Sequence, residues 1–274
     1  MNVSPPAVPQ QSGIIYTITS SGDLLWNRHD GRQDGTFRWA LGESRKVGAG
    51  WSVKQVFSGG DGIIYAVMRN GDLLWNRHDG RQDGTFRWAA SQGKQVGNGW
   101  SGFSTVFAGG EGVIYAIAAN GDLLWYRHDG RQDGTPRWAF SEGKKVGHGW
   151  NGLSTVFAGG DGVIYAIAAN GDLLWFRHDG WRDGTFRWAS NDGKKVGHGW
   201  NGLSGVFSGG DGVIYAITAA SRDPRTGQRT GGDLLWNRHD GRADGTFRWA
   251  LGEGKKVGHG WTVDHAFADV MLAR

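Results

Sequence analysis

The residues best suited to chemistry recur in one stretch, His29-Asp30-Gly31-Arg32-Gln33-Asp34-Gly35-Thr36-Phe37-Arg38-Trp39, whose copies begin at His78, His128, His178 and His239. Asp34, Arg38 and Trp39 return unchanged as Asp83, Arg87 and Trp88, as Asp133, Arg137 and Trp138, as Asp183, Arg187 and Trp188, and as Asp244, Arg248 and Trp249. A second stretch is the connector Gly147-His148-Gly149-Trp150-Asn151-Gly152. Its histidine recurs as His198 and His259 and is replaced by Ala49 and Asn98, and its asparagine recurs as Asn201. Tryptophan offers an apolar face to the C–H side of a pyranose. Asp, Arg, Asn and His satisfy hydroxyls in fork geometry. Asp34, Arg38, Trp39 and their copies, with His148, His198, His259, Asn151 and Asn201, are therefore the candidates for binding a carbohydrate.

Other chemistries fit less well. Asp30 and Asp34 stand four apart with Gly-Arg-Gln between them, which is not the alternating-oxygen spacing of a calcium loop. The competing reading is that these aspartates bond loop amides, and no metal is expected. There is no Gly-x-Ser-x-Gly elbow, no phosphate loop and no His-Glu-x-x-His. The chain lacks cysteine, which removes disulfides, thiolate catalysis and zinc-thiolate sites. Five copies of one constellation argue against an enzyme, which needs a single asymmetric arrangement. They suit multivalent binding, where linked sites raise avidity without new contacts. No cofactor is expected.

The elements that carry these residues are repeats of about 50 residues. Gly-Asp-Leu-Leu-Trp occurs at Gly22–Trp26, Gly71–Trp75, Gly121–Trp125, Gly171–Trp175 and Gly232–Trp236. Ile-Tyr-Ala recurs four times with a weaker fifth copy at Ile15-Tyr16-Thr17, and each unit closes on Gly-Trp, at Trp51, Trp100, Trp150, Trp200 and Trp261. Three tryptophans per unit make fifteen, and Trp181 is the sixteenth. One unit predicts four short strands, near Ser104–Ala108, Val113–Ala118, Asp122–Arg127 and Lys144–Gly147. Gly109-Gly110-Glu111-Gly112 and Asn120-Gly121 are the expected hairpins, the latter a two-residue turn. No run has helical period.

Adjacent apolar residues such as Ile63-Ile64 and Leu123-Leu124 point to opposite faces of a strand, so both faces must be buried. Sheets stacked radially in a propeller meet that demand. The N-terminus begins at a second strand, Gly13–Ile18, whereas Trp261–Ala268 matches the first-strand pattern of Trp150–Ala158. A C-terminal strand completing the N-terminal blade closes a ring and removes free sheet edges. The prediction is an all-β, single-domain five-bladed β-propeller over residues 1–274, with four-stranded antiparallel blades. Residues 1–12 read as a flexible tail and 221–231 as a loop insertion carrying Arg222, Arg225 and Arg229. The Leu-Leu-Trp tryptophans read as core, and Trp39 and Trp51 as candidates for the junctions between blades.

The net charge of +4 is small and interspersed, so no nucleic-acid partner is expected. No apolar run approaches the ~20 residues of a membrane span. Met1-Asn2-Val3-Ser4-Pro5-Pro6 lacks the charged and apolar regions of a signal peptide, which leaves the location open between the cytoplasm and export by a non-standard route. A monomer is expected.

Arg187-Trp188-Ala189, then Lys194-Lys195-Val196-Gly197-His198-Gly199-Trp200, Val206-Phe207 and Val213-Ile214-Tyr215-Ala216-Ile217 resemble the tachylectin family of five-bladed lectins. The likeness covers all five repeats. It implies non-catalytic binding of glycans bearing terminal GlcNAc or GalNAc, in up to five pockets. In that family each pocket lies between the large outer loop and the connector from the neighbouring blade. The family tends to place Asp-Asn before the loop tryptophan, where this chain has Phe37-Arg38. Unit three carries Pro136 in place of Phe, and unit four carries Trp181-Arg182 in place of Arg-Gln. The alternative is a protein-interaction propeller of kelch or WD type, which would show divergent loops and one distinct face. Here the Trp-Asp signature is missing and the loops are near copies.

Overall fold

A computed structural model of the chain describes residues 13–90, 92–222, 225 and 229–269. The tail expected over residues 1–12 lies outside them. The strands form five four-stranded antiparallel sheets arranged as a propeller, with almost no helix. From the inner strand outwards, blade 2 runs Gln55–Gly60, Ile63–Val67, Leu73–Arg77 and Lys94–Gly97. Blade 3 runs Thr105–Gly110, Val113–Ile117, Leu123–Arg127 and Lys144–Gly147. Blade 4 runs Leu153–Gly160, Val163–Ala168, Leu173–His178 and Trp188–Gly197. Blade 5 runs Leu203–Gly210, Val213–Thr218, Gly232–Arg238 and Lys255–Trp261.

Blade 1 joins the two ends of the chain. Its inner strand is His265–Asp269, followed outwards by Ile14–Ile18, Leu24–Arg28 and Arg45–Gly48. Tyr16 stands opposite Phe267 on one side and Trp26 on the other, as Tyr65 stands opposite Phe57 and Trp75 in blade 2. The inner strands touch one another in a closed circle, with His265–Asp269 seated between the inner strands of blades 5 and 2. Each inner strand is the last of its sheet, and its short edge is guarded by the neighbouring inner strands.

Burial follows the apolar doublets. All five residues of Ile63–Val67 are buried, because blades press on both faces. The interfaces repeat one set of bonds. Trp75 donates its indole N–H to the Arg131 carbonyl of the next blade at 2.8 Å, and Tyr65 meets Nδ1 of His128 at 2.7 Å. Tyr16–His78, Tyr115–His178, Tyr165–His239 and Tyr215–His29 repeat the second bond around the ring. A buried tryptophan with its N–H satisfied supplies a large apolar surface at no polar cost. Gly134, at φ 69°, is seated on that same Trp75, where a Cβ would lie 2.6 Å from the ring. The next blade's loop can therefore close flat against the core.

The hairpins differ from the sequence reading in detail. The inner strand of blade 3 continues through Gly110, and Glu111 and Gly112 form the two-residue turn, both at positive φ. Asp61, Asp161 and Asp211 take the same conformation in their blades, which Asp tolerates better than most residues. At Asn120-Gly121 the loop is longer than two residues. Gly121 N–H donates to the Ala118 carbonyl, Ala118 N–H donates to Asp122, and only Gly121 has positive φ. That is a three-residue turn with a glycine bulge. The insertion forms a short two-stranded ladder of Ser221–Arg222 with Arg229–Thr230.

Candidate functional site

The loop from His29 to Trp39 folds on itself before it meets anything else. Asp34 Oδ1 accepts from the Thr36 amide at 3.0 Å and from the Thr36 hydroxyl at 2.7 Å. The Thr36 hydroxyl in turn accepts from Arg38 Nε at 2.9 Å. These bonds, the threonine hydroxyl first, hold the Asp34 carboxyl below the usual carboxylate range. The same Asp–Thr pair of bonds locks the loop in every blade. Asp34 and its copies thus bond a loop amide as expected, whereas Asp30 and its copies accept from the Nε of Arg28 and its counterparts instead. Among the described residues no group of His, Cys, Asp and Glu could hold a metal ion.

His29 is buried under the loop. Its Nε2 lies 2.8 Å from the Thr36 carbonyl and its Nδ1 lies 2.8 Å from the Tyr215 hydroxyl. A carbonyl can only accept, so Nε2 carries the hydrogen and Nδ1 accepts from the tyrosine. The ring is neutral, and burial pushes its pKa down, as it does at His78, His128, His178 and His239. These histidines fasten blades together and are closed to any ligand.

The locked loop sends Phe37 outwards and turns Trp39 back over His29, the rings 4.6 Å apart. Trp39 also donates its N–H to the Val257 carbonyl of blade 5 at 2.7 Å. Trp88, Trp138, Trp188 and Trp249 cross to the preceding blade in the same way. They are thus wedges between blades, with one face half-exposed. Each stands beside a connector tryptophan, at 5.9 Å for Trp39–Trp261 and 5.8 Å for Trp51–Trp88.

A cleft opens at that junction. Between blades 5 and 1 it holds about 450 Å³, with Phe37 and Trp39 on one wall and the connector Gly258–Val263, including His259 and Trp261, on the other. Asn27 and the loop Leu41–Ser44 complete it. Phe37 is 58% exposed. Its ring lies nearly parallel to that of His259, 6.5 Å away, and Phe247 and His198 repeat this pairing between blades 4 and 5. Between blades 1 and 2 the cleft holds about 300 Å³, lined by Ala49, Trp51, Asn76, Phe86, Trp88 and Gln92 among others. Apolar rings on one side and amide, hydroxyl and main-chain groups on the other can hold a small amphipathic ring in orientation.

Of the residues singled out in the sequence, the structure brings Trp39 and His259 together in one cleft, and Trp88 lines another. Asp34 and Arg38 and their copies lie on the exposed side of the loop and are absent from the lining. Asn151 and Asn201 are exposed and lie over the hairpin glycines Gly121 and Gly171. His148 and His198 are exposed on their connectors. Sequence reasoning missed Phe37 and Asn27. The signal for Phe37 was a large apolar residue inside a polar loop. The signal for Asn27 was a polar residue next to a core tryptophan.

The sequence model of the family described as Tachylectin matches residues 17–269. No curated protein matches. Among solved structures, a symmetrical protein described by its de novo evolutionary emergence is 17% identical, with a TM-score of 0.60 over 95% of this chain and 99% of that one. AofleA from Arthrobotrys oligospora, in mutant form, is 10% identical, with a TM-score of 0.44 over 94% and 86%. The SapL1 lectin in complex with alpha methyl fucoside is 13% identical, with a TM-score of 0.38 over 89% and 92%. The first of these shares the fold.

Proposed function

This chain belongs to the tachylectin family, and we propose that it is a multivalent, non-catalytic lectin for glycans bearing terminal GlcNAc or GalNAc. The observation that carries this reading is the cleft between blades, with an exposed phenylalanine facing an imidazole above a half-buried tryptophan pair. The apolar rings would take the C–H face of the sugar and the acetyl methyl group. Asn27, Ser44 and His259, with the main chain of Gly258–Gly260, offer donors and acceptors to hydroxyls and to the acetamido group. Asp34 and Arg38 and their copies belong to this proposed site as rim groups that hold the loop in shape. Asn151 and Asn201, exposed on their connectors, would add amide partners for sugar hydroxyls from outside it. Recurrence of the cleft around a rigid ring would turn weak single contacts into avidity.

Calorimetric titration with GlcNAc, GalNAc and glucose tests the proposal. Saturable heat with an acetylated sugar and none with glucose is the expected result. Silence with all three would move the assignment to another glycan or to a protein ligand.

A further inference from the structure

The five junctions share one frame but fall into two kinds. The residue after the core tryptophan of the third strand is Asn27 in blade 1, Asn76 in blade 2 and Asn237 in blade 5. In blades 3 and 4 it is Tyr126 and Phe176. The asparagines stay close to their own sheet. Asn76 accepts from the Gly93 amide at 2.9 Å, and Asn27 accepts from the Ser44 hydroxyl at 2.6 Å. Both line the clefts described above.

The aromatic replacements reach further. Phe176 is buried against Trp150 of the connector, with ring centroids 4.7 Å apart. On its other side the ring lies where a Cβ on Gly193 of the outer strand would fall, 2.7 Å from Cζ. It therefore fills the space between the connector and the outer strand. Tyr126 does the same between Trp100, at 4.8 Å, and Gly143, whose Cβ would fall 2.4 Å from Cζ.

The exposure of the connector tryptophans follows the same division. Trp100 and Trp150, the connector tryptophans beside the aromatic replacements, are only 5% and 6% exposed. Trp51, Trp200 and Trp261, beside the asparagines, are half-buried. Trp100 and Trp150 also open the two 3-10 turns of the chain's described residues.

Resting on the lectin reading above, we propose that this one position decides which junctions take an N-acetylhexosamine. The junctions 4/5, 5/1 and 1/2 are open, and 2/3 and 3/4 are plugged by the protein's own rings. A phenyl or phenol ring packed at a tilt against the connector tryptophan covers apolar surface that a pyranose would use. The open junctions are consecutive around the ring, so the ligand-binding rim is an arc on one side of the propeller.

The test reads each junction separately. The indole N–H signals of Trp39, Trp88, Trp249, Trp138 and Trp188 are assigned in the ¹⁵N-labelled full chain and followed during titration with GlcNAc and, in parallel, GalNAc. With the sugar that binds, Trp39, Trp88 and Trp249 shift saturably while Trp138 and Trp188 stay in place. The variants Tyr126→Asn and Phe176→Asn bring Trp138 and Trp188, respectively, into the responding set. The reverse variant Asn76→Phe silences Trp88 and leaves Trp39 responding, which keeps the test sound if either plug variant fails to fold. Saturable shifts at all five indoles of the unaltered chain overturn the proposal and leave the lectin reading standing. Folded plug variants whose Trp138 and Trp188 remain silent also overturn it. No shift at any indole with either sugar overturns both.

Discussion

The inner and outer halves of each blade junction are built under different constraints. Inside, the tyrosine–histidine bond is repeated at all five junctions, at 2.7 to 2.8 Å. Outside, the corresponding positions hold Asn, Tyr or Phe, and Ala, Asn or His. A ring closes only when its angles sum to a full turn, so no inner junction can change without straining the rest. The outer cleft carries no such obligation. Its lining can vary from blade to blade while the frame stays fixed, as surface loops on a rigid scaffold do.

Breaking the inner half should have the largest effects. Ending the chain after Val263 removes strand His265–Asp269, leaves blade 1 with three strands and opens the circle. The expected outcome is loss of the cooperative thermal transition in circular dichroism. Trp125→Ala removes a fully buried ring and its bond to the Trp181 carbonyl. It should cost about 3–5 kcal/mol in urea unfolding. Tyr115→Phe keeps the ring but leaves Nδ1 of His178 without its donor. A loss of about 1–3 kcal/mol is expected by the same measurement.

The inner half also sets a pH response. Burial lowers the folded pKa of His29, His78, His128, His178 and His239 below the 6.5 of a free imidazole. As pH falls past 6.5 the unfolded chain takes up protons that the folded chain refuses, so stability falls with pH down to the folded values. A melting temperature that declines steadily from pH 7.5 to pH 5 is the expected result, and a flat profile would break the assignment of five neutral rings. The smallest effect on stability belongs to the outer half. Phe37→Ala, at an exposed ring, should leave unfolding within about 0.5 kcal/mol. It should weaken sugar binding at its own cleft by up to about ten-fold, the scale of an aromatic contact of ~0.5–1.5 kcal/mol, read at the Trp39 indole.

The blades, their count and the offset closure were legible because they are written in repetition and in apolar doublets. Trp75 and its copies were legible as core for the same reason. The division of labour within the loop was not. Asp34, Arg38, Phe37 and His29 are copied alike, so periodicity cannot separate a loop lock, a rim group, an exposed ring and an inter-blade bolt. Only partners from another blade do so, such as Tyr215 for His29. Tyr126 and Phe176 were hidden for a related reason. Inside an apolar strand they read as ordinary sheet residues, and their reach towards Trp100 and Trp150 depends on a connector outside that strand.

The strand His265–Asp269 has a consequence for how the molecule comes into being. It is the last strand of the propeller to be synthesised, yet it sits beside the first. Until it arrives, blade 1 is incomplete and the circle of inner strands is open between blades 5 and 2. Closure of the ring is thus withheld from a growing or truncated chain and granted only at the end of assembly.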